Sequence, residues 1–328
     1  MREGECRTWA ESSDSARGSI MRNCRESIMK SRLMNVSIHS GVFSAALLLV
    51  IFLIASASAD ADDLDQVEKI LGAKGQVQEG ALILRFPRTD ISVSIDGDPL
   101  PISLGFVSWV AWKNMGDQTL VMGDLVLLEN EVNPVISALE EVKIGVAALH
   151  NHFMRERPRV MFIHVEGMGK GAELARGLKN ALAKTATPQQ LAPESPQAPV
   201  SLDTRRIEDI IGYSGTNAGG VFKITVGRPG VISHGMELTS SLGMNSWAGF
   251  VGTNERAHVA GDMAMTAPEV NRVIRALRNG GIEIVAVHNH MLDEQPRMFF
   301  LHYWGSGRAE NLAQTVRSAL DQIQGPVQ

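Results

Sequence analysis

The sequence predicts an α+β fold of two homologous repeats, each a mainly antiparallel sheet with helices packed on it. Three observations point there. Residues 142–182 align without a gap on residues 280–320, with sixteen of 41 positions identical at a constant offset of 138. In each copy strand-like runs come first, then a segment of helical period, then two more strand-like runs and a closing helix, an order typical of α+β domains. Between the copies lies Thr185 to Ser201, TATPQQLAPESPQAPVS, with four prolines and no aromatic residue. Such a segment is a semi-extended linker. A self-similarity this long is a duplication, covering roughly 62–184 and 202–324. The expected organisation is an N-terminal extension and signal peptide (1–59), a first repeat domain (60–184), the linker (185–201) and a second repeat domain (202–328).

The elements follow in order. A short helix opens each copy, at Leu64–Leu71 and Thr204–Ile211. Strand-like stretches come next: Ala81–Phe86, Ile91–Ile95, Phe106–Trp112 and Thr119–Leu127, then Val221–Val226, Val231–Ser233, Asn245–Val251 and Ala257–Met263. Val132, Val135, Ile136 and Leu139 recur at i, i+3, i+4, i+7, as do Val270, Val273, Ile274 and Leu277, so each set predicts an amphipathic helix. Thr266 with Glu269 forms a capping box, and Gly280 is a natural stop. The closing helices fall at Ala172–Leu182 and Ala309–Leu320.

The first sixty residues differ from the rest. Val42 to Ala55 is an almost unbroken apolar run, with Lys30 and Arg32 upstream and Ala57-Ser58-Ala59 downstream. A positive start, an apolar stretch of this length and an A-x-A end predict a secretory signal peptide cleaved near Ala59. The run is short for a membrane span of about 20 residues, so the membrane is met only through this segment; the alternative is an uncleaved N-terminal anchor, against which the A-x-A end argues. Residues 1–28 are polar and aperiodic: either translation starts at Met29 or Met34, or this is an unusually long n-region. Cys6 and Cys24 both precede the apolar run, so the exported chain would carry no disulfide, thiolate nucleophile or cysteine-based metal site. The expected location is the periplasm or the exterior.

Hydrophobic residues make up 44% and charged residues 20% of the 328, as in an ordinary folded protein. Net charge is −5, and residues 60–328 carry 24 basic and 31 acidic side chains, net −7. That balance argues against a nucleic-acid partner. The consecutive His-Asn-His tripeptide does not change this, because the nucleases named for those letters spread them over a hairpin and a helix. No G-x-S-x-G, Walker A, H-E-x-x-H or dinucleotide fingerprint occurs.

The histidines carry the functional signal. Six of the eight that follow the apolar run belong to the repeated motif: His150, His152, His164 and His288, His290, His302. Residues two apart on a strand share a face. A hairpin about Pro158 and Pro296 would then set His152 opposite His164 and His290 opposite His302, gathering three imidazoles per repeat beside Ile144, Val146 and Phe162. Three neutral imidazoles with an open position are a catalytic zinc arrangement, and imidazole also suits copper, iron and nickel. The expected cofactor is a divalent metal, with zinc a candidate. Glu156 and Glu294 are candidate catalytic bases, and Asp124 and Asp262, expected at strand ends, are further acidic neighbours. Glu166 shares the His164 face but aligns with Trp304, and Asp96 aligns with His234, so the outer surroundings of the two copies differ. Two alternatives stay open: histidines that only order a core by hydrogen bonding, and metal-free acid–base chemistry. Arg159 and Arg297 could clamp an anion or pair with Glu156 and Glu294.

The stretches MGDLVLLENEVNPVISAL, ALHNHFMRERPRVMFIHVEG and AVHNHMLDEQPRMFFLHYWG resemble the LppY/LpqO family of exported bacterial proteins, whose domain has no assigned function. The resemblance covers nearly all of 62–324 and implies an envelope or secreted location. It implies no established activity or catalytic residues. The lipobox cysteine of its lipoprotein members is missing here. The resulting expectation is an exported metal-binding protein acting on an unknown small-molecule or envelope ligand, with metal-assisted hydrolysis as the reaction class. The alternative is a non-catalytic envelope binding module.

Overall fold

The computed structural model describes residues 63–188, 200–323 and 325. The expected signal peptide, its cleavage point at Ala59, both cysteines and the middle of the linker lie outside them. From Asp62 onward the chain forms one compact unit. No helix among the described residues is long and apolar enough to cross a membrane.

The first repeat runs α1 (residues 63–71), β1 (Gln76–Gln78), β2 (Ala81–Pro87), β3 (Ser94–Ile95), β4 (Asp98–Pro99), β5 (Val107–Met115), β6 (Gln118–Leu128), α2 (Val132–Glu140), β7 (Gly145–His150), β8 (Glu156–Arg157), β9 (Val160–Gly169) and α3 (Gly171–Leu182). The second runs α4 (Thr204–Ile211), β10 (Gly215–Ala218), β11 (Val221–Gly227), β12 (Ile232–Ser233), β13 (Met236–Glu237), β14 (Asn245–Gly252), β15 (Ala257–Thr266), α5 (Ala267–Asn279), β16 (Glu283–His288), β17 (Met298–Gly307) and α6 (Ala309–Leu320). The local signals are those the sequence carries. Asp203 caps α4 by accepting from Arg206 N–H, and Gly212, at φ 81°, closes it. Thr266 and Glu269 form the capping box of α5. The strand expected over Ile91–Ile95 shrinks to β3, because that segment leaves the main sheet to pair with β4 and β8.

The six-stranded sheets have equivalent orders, β1-β2-β5-β6-β9-β7 and β10-β11-β14-β15-β17-β16. All neighbours are antiparallel. Each chain segment meanders through four strands. A helix then carries it past a vacant place to the edge, and the last strand returns to fill that place. The returning strands, β9 and β17, carry His164 and His302.

Both faces of each sheet are buried, and they bury different things. One face packs under helices: Leu82, Leu84, Phe86, Trp112, Ile163 and Val165 join Val67, Val135, Leu139, Leu174 and Leu178 in one core. The second repeat has the same arrangement around Ile224, Phe250, Leu301 and Tyr303. The other faces meet each other. Ile83, Leu120 and Met122 of the first repeat cluster with Leu238, Met244 and Phe300 of the second. Phe106, Phe153 and Phe162 do so with Val221, Val251 and Trp304. The layers therefore run helices, sheet, sheet, helices, and the two repeats share a core. This is why the inner strands β6 and β15 are buried at nearly every position, on both faces.

One glycine pair shows how tight the sheets are. A Cβ at Gly123 would lie 2.4 Å from the Trp109 carbonyl oxygen. One at Gly261 would lie 2.2 Å from both the Trp247 carbonyl oxygen and the Tyr303 hydroxyl, on top of the 3.1 Å bond by which that hydroxyl donates to that carbonyl. Gly261→Ala is expected to destabilise by about 1–3 kcal/mol through overpacking. Urea unfolding checks this, and a midpoint equal to that of the wild type would refute it.

Candidate metal centre

The six repeated histidines come together, by a different route from the one their spacing suggests. The hairpin does not pair 152 with 164. His150 lies opposite Phe162, and Ala148 lies opposite His164. Likewise His288 lies opposite Phe300 and Ala286 opposite His302. The strands part early, because Glu156 and Arg157 leave to pair with β3, leaving residues 151–159 as a loop closed by a cis Arg157–Pro158 bond. His152 and His290 therefore sit just beyond the strand ends. Their rings still return to the inter-sheet face, stacking at 3.4 Å on Phe162 and Phe300. Phe162 stands on the histidine face as expected. Ile144 and Val146 do not, since a bulge at Val146/Ala148 turns them under the helices.

The larger difference is that the sites are not separate. The histidine faces of the two sheets oppose each other, so one cluster forms at the pseudo-twofold axis between the repeats. His150 stacks on His288 at 3.9 Å between ring centroids. His152 lies 3.8 Å from His302, and His164 lies 3.8 Å from His290. Donor atoms of His150, His288 and His302 lie within 4.8 Å of one another, as do those of His164, His288 and His290, and those of Asp124, His150 and His152.

Two carboxylates face the rings. Asp124 Oδ2 is 3.4 Å from His152 Nε2, and Asp262 Oδ2 is 3.2 Å from His290 Nε2. His290 Nδ1 lies 3.3 Å from the Gly243 carbonyl oxygen. A neutral ring that donates there turns the lone pair of its other nitrogen toward the Asp262 carboxylate. Two acceptors that close need a proton or a metal ion between them. His302 Nδ1 likewise reaches the Gly261 carbonyl at 3.1 Å, leaving Nε2 directed into the cluster.

The polar accounting is unusual. Every one of the six rings has at least one buried nitrogen without a hydrogen-bond partner, and His150, His152 and His288 have two each. Asp124 Oδ1 and Asp262 Oδ1 are also unpartnered. An unpaired buried polar atom costs about 1–3 kcal/mol, and eleven of them collect here beside donor sets that could hold a metal ion. The electrostatics agree. Burial first, and the neighbouring imidazoles next, hold His150, His152 and His164 well below the ordinary histidine range. Burial and His302 hold His288 down to about 2. Burial also lowers His302. Neutral rings of this kind are the ligating form. Burial and the charge of Asp262 push Asp124 well up. Burial works on Asp262 in the same direction, but the influence of His302 and the contact with His290 outweigh it and hold Asp262 low. The donor set of neutral imidazoles and carboxylate fits a divalent transition metal.

The other expected residues lie around this centre. Glu156 and Glu294 are buried but face their own loops. Glu156 accepts from Val160 N–H at 3.3 Å, and Glu294 accepts from Met298 N–H at 2.8 Å. Arg297 pairs with Glu294 at 3.2 Å, and Arg159 approaches Glu156 at 3.9 Å. The carboxylates at the rings are Asp124 and Asp262, at central positions of β6 and β15, where alternation alone could have assigned them to the histidine face. Glu166 and His234, which break the symmetry, approach each other across the repeats at 4.0 Å. Lys223 was not singled out from the sequence. It lies 4.2 Å over the Trp247 ring, and burial beside Arg85 lowers it to about 8.

A family model described as Domain of Unknown Function (DUF1259) matches residues 65–184 and again residues 205–322. The chain belongs to the DUF1259 family. The two matches coincide with the two sheets, so the histidine cluster is built by a pair of DUF1259 domains in one chain. No curated protein matches. Among solved structures, the chain is similar to a trimeric bacterial microcompartment shell protein, PduB, at 12% identity, over 76% of this chain and 90% of that one, with a TM-score of 0.20. It is also similar to EtuB from Clostridium kluyveri at 10% identity, over 75% and 88%, with a TM-score of 0.18. A third is TP0453, at 10% identity over 66% and 81%, with a TM-score of 0.16. Similarities this low carry no argument about the DUF1259 pair.

Proposed function

We propose that this protein is an exported metal-binding protein whose centre is the histidine cluster between its two DUF1259 domains. The observation that carries the reading is the set of six imidazoles, each with a buried, unpartnered ring nitrogen, facing two carboxylates at the pseudo-twofold axis. Bound metal would satisfy these atoms together and join the repeats. The apolar run and A-x-A end near Ala59, and the resemblance to LppY/LpqO proteins, support an envelope or secreted location. There the ligand-binding role would be exercised without cysteine.

The reading favours holding metal over turning over a large substrate. His150, His152, His164, His290 and His302 are only 3–9% exposed, and their rings stack on one another and on Phe162 and Phe300. Hydrolysis by a metal-activated water needs an open coordination position and a nearby base. Glu156 and Glu294, the bases expected from the sequence, spend hydrogen bonds on their own loops.

Elemental analysis of the untagged protein tests the proposal, beside a His150→Ala/His288→Ala variant. Near-stoichiometric zinc, copper, nickel or iron is expected in the wild type, with at least a tenfold loss in the variant. No metal in the wild type after reconstitution with each of the four would sink the proposal and leave the histidines as a core network.

A further inference from the structure

We infer that the centre holds two metal ions in crossed sites, one ligated by Asp124, His150, His152 and His302, the other by Asp262, His288, His290 and His164. Each site would take its carboxylate and its His-x-His pair from one repeat and its last imidazole from the other. The inference rests on the proposed metal centre and adds its nuclearity and its partition of ligands.

Three geometric facts support the crossing. First, the closest ring neighbours of His152 and His290 among the six are His302 and His164, both at 3.8 Å and both from the opposite repeat. The remaining ring spacings within each crossed set match across the pseudo-twofold axis. His150–His152 and His150–His302 are 5.2 and 5.1 Å, against 5.1 and 5.3 Å for His288–His290 and His164–His288. Second, the carboxylate-to-imidazole distances are 3.4 and 3.2 Å. With metal–ligand bonds of about 2.0–2.1 Å, two ligands on a tetrahedral ion lie about 3.3–3.4 Å apart. One edge of each site is therefore already at the spacing of bound ligands, and three donors of each site, those of Asp124, His150 and His152 and those of His164, His288 and His290, lie within 4.8 Å of one another. Third, the partition uses every ring once and both carboxylates once, and each ring offers an unpartnered nitrogen; this speaks for two ions over one, and the His152–His302 and His164–His290 contacts speak for the crossing.

Two other partitions compete. In the first, each ion belongs to one repeat: His150, His152, His164 and His288, His290, His302. In the second, a single ion sits on the axis among His150, His164, His288 and His302, which would leave unpartnered nitrogens on His152 and His290 unserved.

Paired variants separate the three. Metal per chain is counted after dialysis against a weak chelator, with circular dichroism and gel filtration confirming a native fold. The crossed arrangement predicts two tight ions in the wild type. One should remain in His164→Gln/His290→Gln, which strips one crossed site. None should remain in His152→Gln/His164→Gln, which strips a ligand from each. Sites confined to one repeat predict the reverse order for the two variants and would overturn the inference. One ion per wild-type chain would also overturn it while leaving the metal centre standing. No ion at all would overturn both. A readout that needs no variant is the copper(II)-loaded wild type. Two neighbouring ions couple and lose much of the ordinary electron-spin signal, whereas a full signal from isolated ions goes against the paired sites.

Discussion

Acidification from pH 7 to pH 5 is expected to unfold the metal-free protein. His150, His152 and His164 are held well below the ordinary range and His288 down to about 2, so all four stay neutral in the folded chain at pH 5. In the unfolded chain they protonate near pH 6.5. The unfolded state then binds more protons, and stability falls as pH falls, by up to about 1.4 kcal/mol per unit for each group. The full contribution is present above about pH 6.5 and is lost progressively below it. The four groups act together, against the ~5–15 kcal/mol that typically holds a protein folded. His302, also lowered, acts in the same direction. Asp124, pushed up by burial and by the charge of Asp262, binds its proton at higher pH in the folded chain than in the unfolded one and so acts in the opposite direction. Tryptophan fluorescence across pH 8 to 4, with chelator present, checks this. A chain still native at pH 4 would show that the rings are not buried neutral. Loading with metal is expected to move the transition to lower pH, since the ion competes with protons for the same nitrogens.

Arg88→Met is expected to cost about 3–5 kcal/mol, because it strands a buried carboxylate. The Arg88 side chain is fully buried. It donates to the Val126 carbonyl and to Glu131 Oε2, both at 2.7 Å, and to Asp90 at 2.8 Å. Glu131 in turn accepts from Leu128 N–H at the start of α2 and from Ala186 N–H after α3. One ion pair thus ties the exit of β2 to the helix that carries the chain over to the edge strand. The second repeat has the same device, with Arg228 donating to Glu269 at 2.9 Å and Glu269 capping α5. Urea unfolding of Arg88→Met and of Arg88→Met/Glu131→Leu reads the effect. The double variant should recover much of the loss, because it removes the unpaired charge. A single variant within 1 kcal/mol of the wild type would mean that water replaces the arginine.

Much of the architecture was legible in the sequence because its signals are local. A constant offset exposes the duplication, helical period marks α2 and α5, and Thr266 with Glu269 marks a helix start. Each depends on residues a few positions apart. The six histidines and two aspartates were legible as residue types for the same reason. Their assembly was not. The hairpin register depended on Glu156 and Arg157 pairing with β3, some sixty residues away. The face of Ile144 and Val146 depended on a bulge, which reverses the alternation on which any sequence reading of a strand relies.

The sequence by itself determined two like domains, each carrying three repeated histidines and an aspartate on or beside its strands. Only the tertiary structure decided that the two sheets bury their histidine faces against each other. The reason is energetic: a six-stranded sheet apolar on both faces needs two covers, and each repeat has helices enough for one. The second cover is the other repeat. That packing turns two sets of three histidines into one centre of six, and no spacing within either copy records it.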